Sequence, residues 1–306
     1  MREARRERIG EDGRVTTPQG TETGPPEQKP VDWDKTFITG RAYGNDEKLS
    51  TRQSIYAFAR RSSEPGFFGW GVSRIAWSGT ELVVDVGCGN GMWLKRLANA
   101  MPGVRTVGVD LSEGMLRSLV ARWEGAGVAP VAVADAQVLP LRENSVDVVL
   151  MMQMLYHVPD RSSAFAESRR ILRRDQGAAL VSTPGPRHLG ELRELLRRAL
   201  TQVRGRAIEG PFLKNPFDSA TAQVELPMSF SQVESYVRPG LLEIPDADPV
   251  VAHLDSQQGP DLDALLPSSA TWEDVLDVAR AEATAVIQAE QVFRVTTEIA
   301  GFVCRR

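Results

Sequence analysis

Between residues 81 and 183, five short apolar runs alternate with stretches patterned for helix, and this alternation constrains the fold more than any other feature of the chain. The runs are Glu81–Val86, Arg105–Asp110, Pro130–Ala134, Val146–Met152 and Ala178–Thr183. They are too short and too evenly apolar for amphipathic helices and read as buried strands. The first intervening helix opens at Gly91, with Met92, Trp93, Leu94 and Leu97 turned inward. In the next, Ser112 caps a segment carrying Met115, Leu116, Leu119 and Val120, and a third spans 162–173. Strands separated by helices of this length pair in parallel, with helices on both faces, which is a doubly wound α/β sheet.

The flanks read differently. Leu49, Ile55, Tyr56 and Phe58 recur at helical spacing, and a second short helix is expected over Phe67–Trp77, after the punctuation Ser63-Glu-Pro65-Gly66. Residues 1–36 are rich in Arg, Glu, Gly, Pro, Gln and Thr and are expected to form a disordered tail, because they cannot bury enough apolar surface to offset ordering. Beyond Pro184, Leu189, Leu192, Leu195, Leu196 and Leu200 mark one helix face. Arg193, Arg197 and Arg198 opposite them read as a solvated charged face. The Pro-containing stretch from Gly210 to Met228 is expected to be irregular, with strands over Phe230–Val237 and Ile299–Cys304. Thr271-Trp-Glu-Asp274 has the capping-box pattern and opens a long helix through Val275, Leu276, Ala279, Val286 and Ile287.

The first strand runs directly into Gly87-Cys-Gly89-Asn-Gly91, and a helix starts there. Glycines let a backbone turn tightly and approach a ligand without Cβ clashes, and ligands of open parallel sheets bind at the carboxyl ends of the strands. A dinucleotide fingerprint would need glycine at 92, where Met92 stands, and no P-loop Lys-Ser/Thr follows, so a diphosphate ligand is disfavoured. Asp85 lies inside the apolar strand and needs a partner, either loop N–H groups or a ligand ammonium. Asp110 closes the second strand, 19 residues beyond Gly91. Alone it reads equally as a ribose acceptor or as a carboxylate at a helix N-terminus; beside the glycine loop the ribose reading is preferred.

With these residues in view, the sequence resembles the class I S-adenosylmethionine-dependent methyltransferases. Val83–Gly91 resembles the first family motif, Val107–Leu116 the second, Ala134–Pro140 the third and Asn144–Asp160 the fourth. The resemblance implies a Rossmann-like, doubly wound, mostly parallel seven-stranded sheet, with N-terminal helices and a helical insertion forming an acceptor lid. It implies a cover at 37–80, a cofactor-binding core at 81–185, and an acceptor-site insertion with closing strands at 186–306. By the same resemblance Gly87, Cys88, Gly89 and Gly91 would lie against the methionine part and ribose of S-adenosylmethionine, with Asp85 at its amino group. Asp110 would take the ribose hydroxyls, Leu111 the adenine face, Asp135 the adenine amino group, Ala136 a ring contact, and Gln153 the methionine end. Tyr43 and Arg52 would close over the cofactor carboxylate. Arg174-Asp-Gln-Gly177 departs from the Pro-Gly-Gly usual before the fifth strand, which touches turn chemistry alone.

Transfer from a sulfonium methyl needs positioning, exclusion of water and, for a hydroxyl acceptor, removal of a proton. His157, after the fourth strand, is either that base or a brace for its loop; His188 and His253 fall in the acceptor half, as do Glu225 and Tyr236. Met152-Gln-Met-Leu155 replaces the Asn/Asp-Pro-Pro-Tyr/Phe of amine-methylating relatives, and no cluster suits a metal, so none is expected. Met151, Met152 and Met154 read either as core or, with Phe67, Phe68, Trp70, Phe212 and Phe217, as an apolar acceptor wall. The acceptor expected is a small molecule with an apolar or aromatic body, in natural product biosynthesis. RNA or protein methylation, or non-catalytic cofactor binding, stand as alternatives. A net charge of −4 gives no support for nucleic-acid binding. Cys88 and Cys304 cannot build a disulfide framework, the start MREARRERIG has no apolar h-region, and no run approaches the roughly 18 residues of a membrane span. A cytoplasmic location is expected, and a homodimer through the N-terminal helices is left open.

Overall fold

A computed structural model describes residues 39–40, 43–60, 66–123 and 129–306. The expected tail at 1–36 and the punctuation at Ser63–Pro65 lie outside the described residues, as does the side chain of Phe67. Seven strands form one sheet in the order β3-β2-β1-β4-β5-β7-β6. Leu82–Val86 (β1), Arg105–Asp110 (β2), Val131–Val133 (β3), Val148–Met152 (β4) and Ala178–Pro184 (β5) run parallel. Gln232–Ile244 (β6) and Phe293–Arg305 (β7) close the sheet, with β7 antiparallel to both β5 and β6. Strand order reverses between β1 and β4, which opens a crevice above their carboxyl ends.

The helices are Glu47–Ser54 (α1, prolonged by a tight turn over Ile55–Phe58), Phe67–Ser73 (α2), Met92–Ala100 (α3), Glu113–Arg122 (α4) and Arg161–Ile171 (α5). They continue with Gly190–Arg204 (α6), Ser219–Ser229 (α7), Ala247–Asp255 (α8), Pro260–Asp263 (α9) and Trp272–Glu290 (α10). Among the described residues no helix is long and apolar enough to cross a membrane.

Strand alternation assigns the two sheet faces. Val84, Val86, Val149, Met151 and Val181 pack with Phe165 of α5 and Leu226 of α7. Val83, Val148, Leu150 and Leu180 pack with Trp70 of α2 and Leu97 of α3. A third core joins α6, α8 and α10 to the distal halves of β6 and β7 through Leu195, Leu196, Val250, Val275, Leu242 and Val295. Each fully buried leucine in it stabilises the fold by about 1.5–3 kcal/mol relative to exposure.

Several expectations are corrected. The stretch 210–228 is not wholly irregular: Asp218 caps α7 by accepting the Thr221 N–H at 2.9 Å, and Ala222 and Leu226 are buried under it. Pro227 sits in the last turn of α7, where its missing N–H forgoes the bond to the carbonyl four residues back and the helix ends two residues later. The two closing strands are far longer than expected, paired from Gln232↔Arg305 to Ile244↔Phe293. The capping box at Thr271 and Asp274 forms as read.

Candidate cofactor and acceptor site

The loop after β1 is built on left-handed backbone, with φ of 71° at Gly87, 54° at Gly89 and 75° at Gly91. The Gly87 and Cys88 N–H groups both donate to the Val109 carbonyl, at 2.8 and 3.0 Å, which ties the loop to the end of β2. A Cβ on Gly87 would stand 2.8 Å from the Met154 Cβ, so backbone sign and space both require glycine. Cys88 is buried, and burial pushes its thiol pKa up, so it packs as a small apolar group.

Two carboxylates flank this loop with opposite environments. Asp110 accepts the Gly89 N–H at 2.8 Å on one oxygen and the Ser112 N–H at 2.9 Å on the other. Its pKa is still raised, because enclosure outweighs those bonds. Asp85 is wholly buried, and neither of its oxygens has a hydrogen-bond partner among the described residues. Burial first, then the Asp110 carboxylate, holds its carboxyl well above the usual range. A sealed, unmatched carboxylate is costly, and a ligand bringing an ammonium or N–H donor would satisfy it. Asp135 is turned into its own loop, receiving the Gln137 backbone and side-chain N–H groups at 2.9 Å each, and Ala136 beside it is buried. Leu111, directly after β2, is half-buried. Gln153 adopts φ 57° and donates from backbone and side chain to Ser182, at 3.0 and 3.3 Å.

The N-terminal helix covers the loop. A Cβ on Gly89 would meet Leu49 at 3.1 Å, and the Gln53 side chain accepts from Asn90 at 2.7 Å. Arg52 donates to the Tyr43 hydroxyl at 2.9 Å, and that hydroxyl lies 2.8 Å from Nε2 of His157. The Tyr43 carbonyl accepts from the Ser112 hydroxyl at 2.6 Å. The structure therefore brings Tyr43, Arg52 and His157 into one group beside the β4 end. Burial, then the Arg52 cation, lowers the His157 pKa to about 3.

Beyond the end of β5 lies a cavity of about 440 Å³ between the start of α6, the 211–218 segment and α8. Both His188 and His253 line it. Nδ1 of His188 accepts the Glu298 N–H at 3.1 Å, so in the neutral ring Nε2 carries the hydrogen and donates to the Tyr56 oxygen at 2.9 Å. The proposed apolar wall is divided by the fold. Phe212 lines the cavity, but Phe217 is sealed in the core against Phe165, while Phe68 and Trp70 lie with Met152 on the other sheet face. Met151 is core, and Met154 packs on the glycine loop. Glu225 pairs with Arg161 at 2.7 Å, and Tyr236 stacks on Trp70.

The sequence reading missed two cavity residues, Arg193 and Lys214. Arg193 was read as part of a solvated face. It stands four residues after Leu189 and three before Leu196, at the edge of the apolar stripe, and that spacing carried the signal. Arg197 and Arg198 are on the charged face as read, paired with Glu194 and Glu282.

Burial lowers the pKa of His188 to about 3 and of His253 to about 4. A histidine whose folded pKa is depressed contributes stability above its unfolded value, near 6.5, and loses it as pH falls. We expect unfolding free energy to fall from pH 7 to pH 5 by about 2 kcal/mol for each of these two residues. Urea midpoints of the wild type against His188→Gln and His253→Gln across that range check this, and a pH dependence unchanged by both substitutions would show that neither ring is held neutral.

The fold and loop define a Rossmann-like domain with a ligand crevice at the β1–β4 switch point. A family model described as a methyltransferase domain matches residues 84–180. The malonyl-[acyl-carrier protein] O-methyltransferase of Geobacter sulfurreducens is 36% identical over 121 residues, which is 40% of this chain and 45% of that protein. The 27-O-demethylrifamycin SV methyltransferase of Amycolatopsis mediterranei is 30% identical over 166 residues, covering 52% of this chain and 59% of that protein. The chain thus spans less than two thirds of the length of these curated relatives. A solved structure described as a type II methyltransferase from Anaeromyxobacter dehalogenans matches with a TM-score of 0.56 at 23% identity, covering 81% of this chain and 98% of that one. At that identity the likeness speaks for the fold alone. Residues 84–180 thus match a methyltransferase domain, and the seven-stranded α/β fold around them is shared with that solved structure.

Proposed function

We propose that this chain transfers the methyl group of S-adenosylmethionine to a small-molecule acceptor. One observation carries the reading: the 440 Å³ cavity is joined to the glycine loop by a single helical element. Residues 47–58 touch the loop through Leu49 and Gln53, and touch the cavity's His188 through Tyr56. A volume of this size suits a small organic ligand. S-adenosylmethionine supplies an activated sulfonium methyl when bound. Asp85, its oxygens unmatched in the free chain, would hold the ammonium; Asp110 the ribose; Asp135 and Leu111 the adenine; Gln153, Arg52 and Tyr43 the methionine end. Depressed basicity and the Tyr43 bond support His157 as a brace for the cover rather than as a base.

The two relatives named above are called after oxygen acceptors, one carrier-linked and one an antibiotic, which supports an oxygen acceptor and a place in natural product biosynthesis. A macromolecular acceptor is less well supported, because Arg197 and Arg198 are neutralised by carboxylates. The test supplies methyl-labelled S-adenosylmethionine and a bacterial lysate split into small-molecule and macromolecular fractions. Label is expected in the small-molecule fraction. Label in RNA or protein would overturn the proposal, and cofactor binding without transfer to either fraction would make the chain a binding protein.

A further inference from the structure

We infer that the cavity beyond β5 selects an acceptor bearing a carboxylate on an apolar body, anchored by Arg193 and Lys214. The inference rests on the methyl-transfer reading for calling the ligand an acceptor; the chemistry of the cavity stands without it. Its walls are apolar, with Leu192, Leu196, Phe212 and Leu254 among the lining residues. Its charges are unbalanced. The one carboxylate that lines it, Asp218, is taken up in capping α7, where it accepts from the Thr221 N–H and hydroxyl at 2.9 and 3.1 Å.

Arg193 and Lys214 have no carboxylate partner among the described residues. Their neighbours do: Arg187 pairs with Glu298, Arg197 with Glu194, and Arg198 with Glu282. Arg193 donates to the carbonyls of His188 and, at 3.0 Å, Pro186. Those bonds fix the guanidinium plane and leave further N–H groups of the fork unspent. Burial costs this cation more than the nearby Glu191 carboxylate, itself bonded to Thr296, gives back, and an anionic ligand would offset that cost.

His253 lines the same cavity; it is 5% exposed, and its Nδ1, sealed from solvent, finds no hydrogen-bond partner among the described residues. The start of α6 also borders the cavity, and its dipole favours negative charge there. A planar fork and an ammonium beside a largely apolar chamber match a carboxylate on a hydrophobic body.

The experiment uses the full chain without cofactor and three matched compounds: benzoate, benzamide and benzylamine. Isothermal titration is expected to give benzoate an affinity at least about tenfold above benzamide, with benzylamine weakest. Lys214→Gln, at an exposed position, should weaken benzoate about threefold or more and leave benzamide unchanged. Arg193→Gln should weaken it further. Equal affinities for the three compounds, or benzoate binding unaffected by both substitutions, would overturn the inference. Phenyl phosphate binding better than benzoate would overturn the carboxylate assignment. Titrating S-adenosylmethionine into the same preparation separates the two proposals. Cofactor binding without benzoate selectivity defeats this inference alone, and benzoate selectivity without cofactor binding defeats the methyl-transfer reading alone.

Discussion

In Asp85→Asn, the ligand-free chain should become more stable at neutral pH while losing at least about tenfold in affinity for S-adenosylmethionine. The two effects have one cause. Asp85 is wholly buried with both oxygens unmatched, and its carboxyl is held well above the usual range by burial and by Asp110. An acid whose folded pKa is raised binds its proton more tightly in the folded state. Its stabilising contribution is complete below the unfolded value near 3.9 and is lost as pH rises toward the folded value. The wild type therefore loses stability relative to a permanently neutral side chain as pH rises through that window. A buried amide without partners carries its own cost of about 1–3 kcal/mol, so the expected rise in Tm at pH 7 is the excess of the carboxylate's cost over the amide's. The variant's advantage should shrink as pH falls from 7 and be gone before about pH 4, where the wild-type carboxyl is neutral. Saturating S-adenosylmethionine should reverse the order, since the ligand ammonium then meets a carboxylate in the wild type alone. An Asn variant less stable than wild type at pH 7 would show that Asp85 has a partner in the free chain.

The parallel half of the fold was legible because short, evenly apolar runs alternate with capped helices, and such runs have few other places to go. β1, β2, β4 and β5 fall within a residue or two of their expected bounds. The closing antiparallel strand pair was not legible at its full length. A Pro-Gly pair is a turn signal in general, yet Pro239-Gly240 lies within β6, which forms the sheet edge, where a missing N–H costs no ladder bond. Pro227 masked α7 in the same way, and α8 was missed outright. The cofactor side of the site was legible because strand, glycine loop and acidic strand end are local in sequence. The cavity was not, because it is assembled from α6, the 211–218 segment and α8, which meet through tertiary packing alone. Residue type suggested an aromatic wall, but type does not tell which sheet face a side chain takes. Phe68 and Phe217 therefore ended in different cores.

Asp110→Ala should remove cofactor binding almost entirely, by about a hundredfold or more, while leaving a folded chain. Its carboxylate links three parts of the site. One oxygen holds the Gly89 N–H and so fixes the loop; the other holds the Ser112 N–H. Ser112 in turn binds the Tyr43 carbonyl through its hydroxyl and caps α4 through the Met115 N–H. Alanine leaves two N–H groups without an acceptor, at about 1 kcal/mol each where water can partly replace it. It also removes the proposed ribose contact. Asp110→Asn retains one acceptor oxygen but turns an NH2 toward the other N–H, so its affinity should fall between wild type and alanine. Titration calorimetry with S-adenosylmethionine orders the three proteins. Hydrogen exchange at Gly89 and Ser112 should speed in the same order, because the bonds being lost are the ones that protect those amides. If alanine lowered affinity without faster exchange, the carboxylate would touch the ligand but not shape the loop. If exchange rose with affinity intact, the loop would not carry the cofactor, and the proposed site would lose its centre.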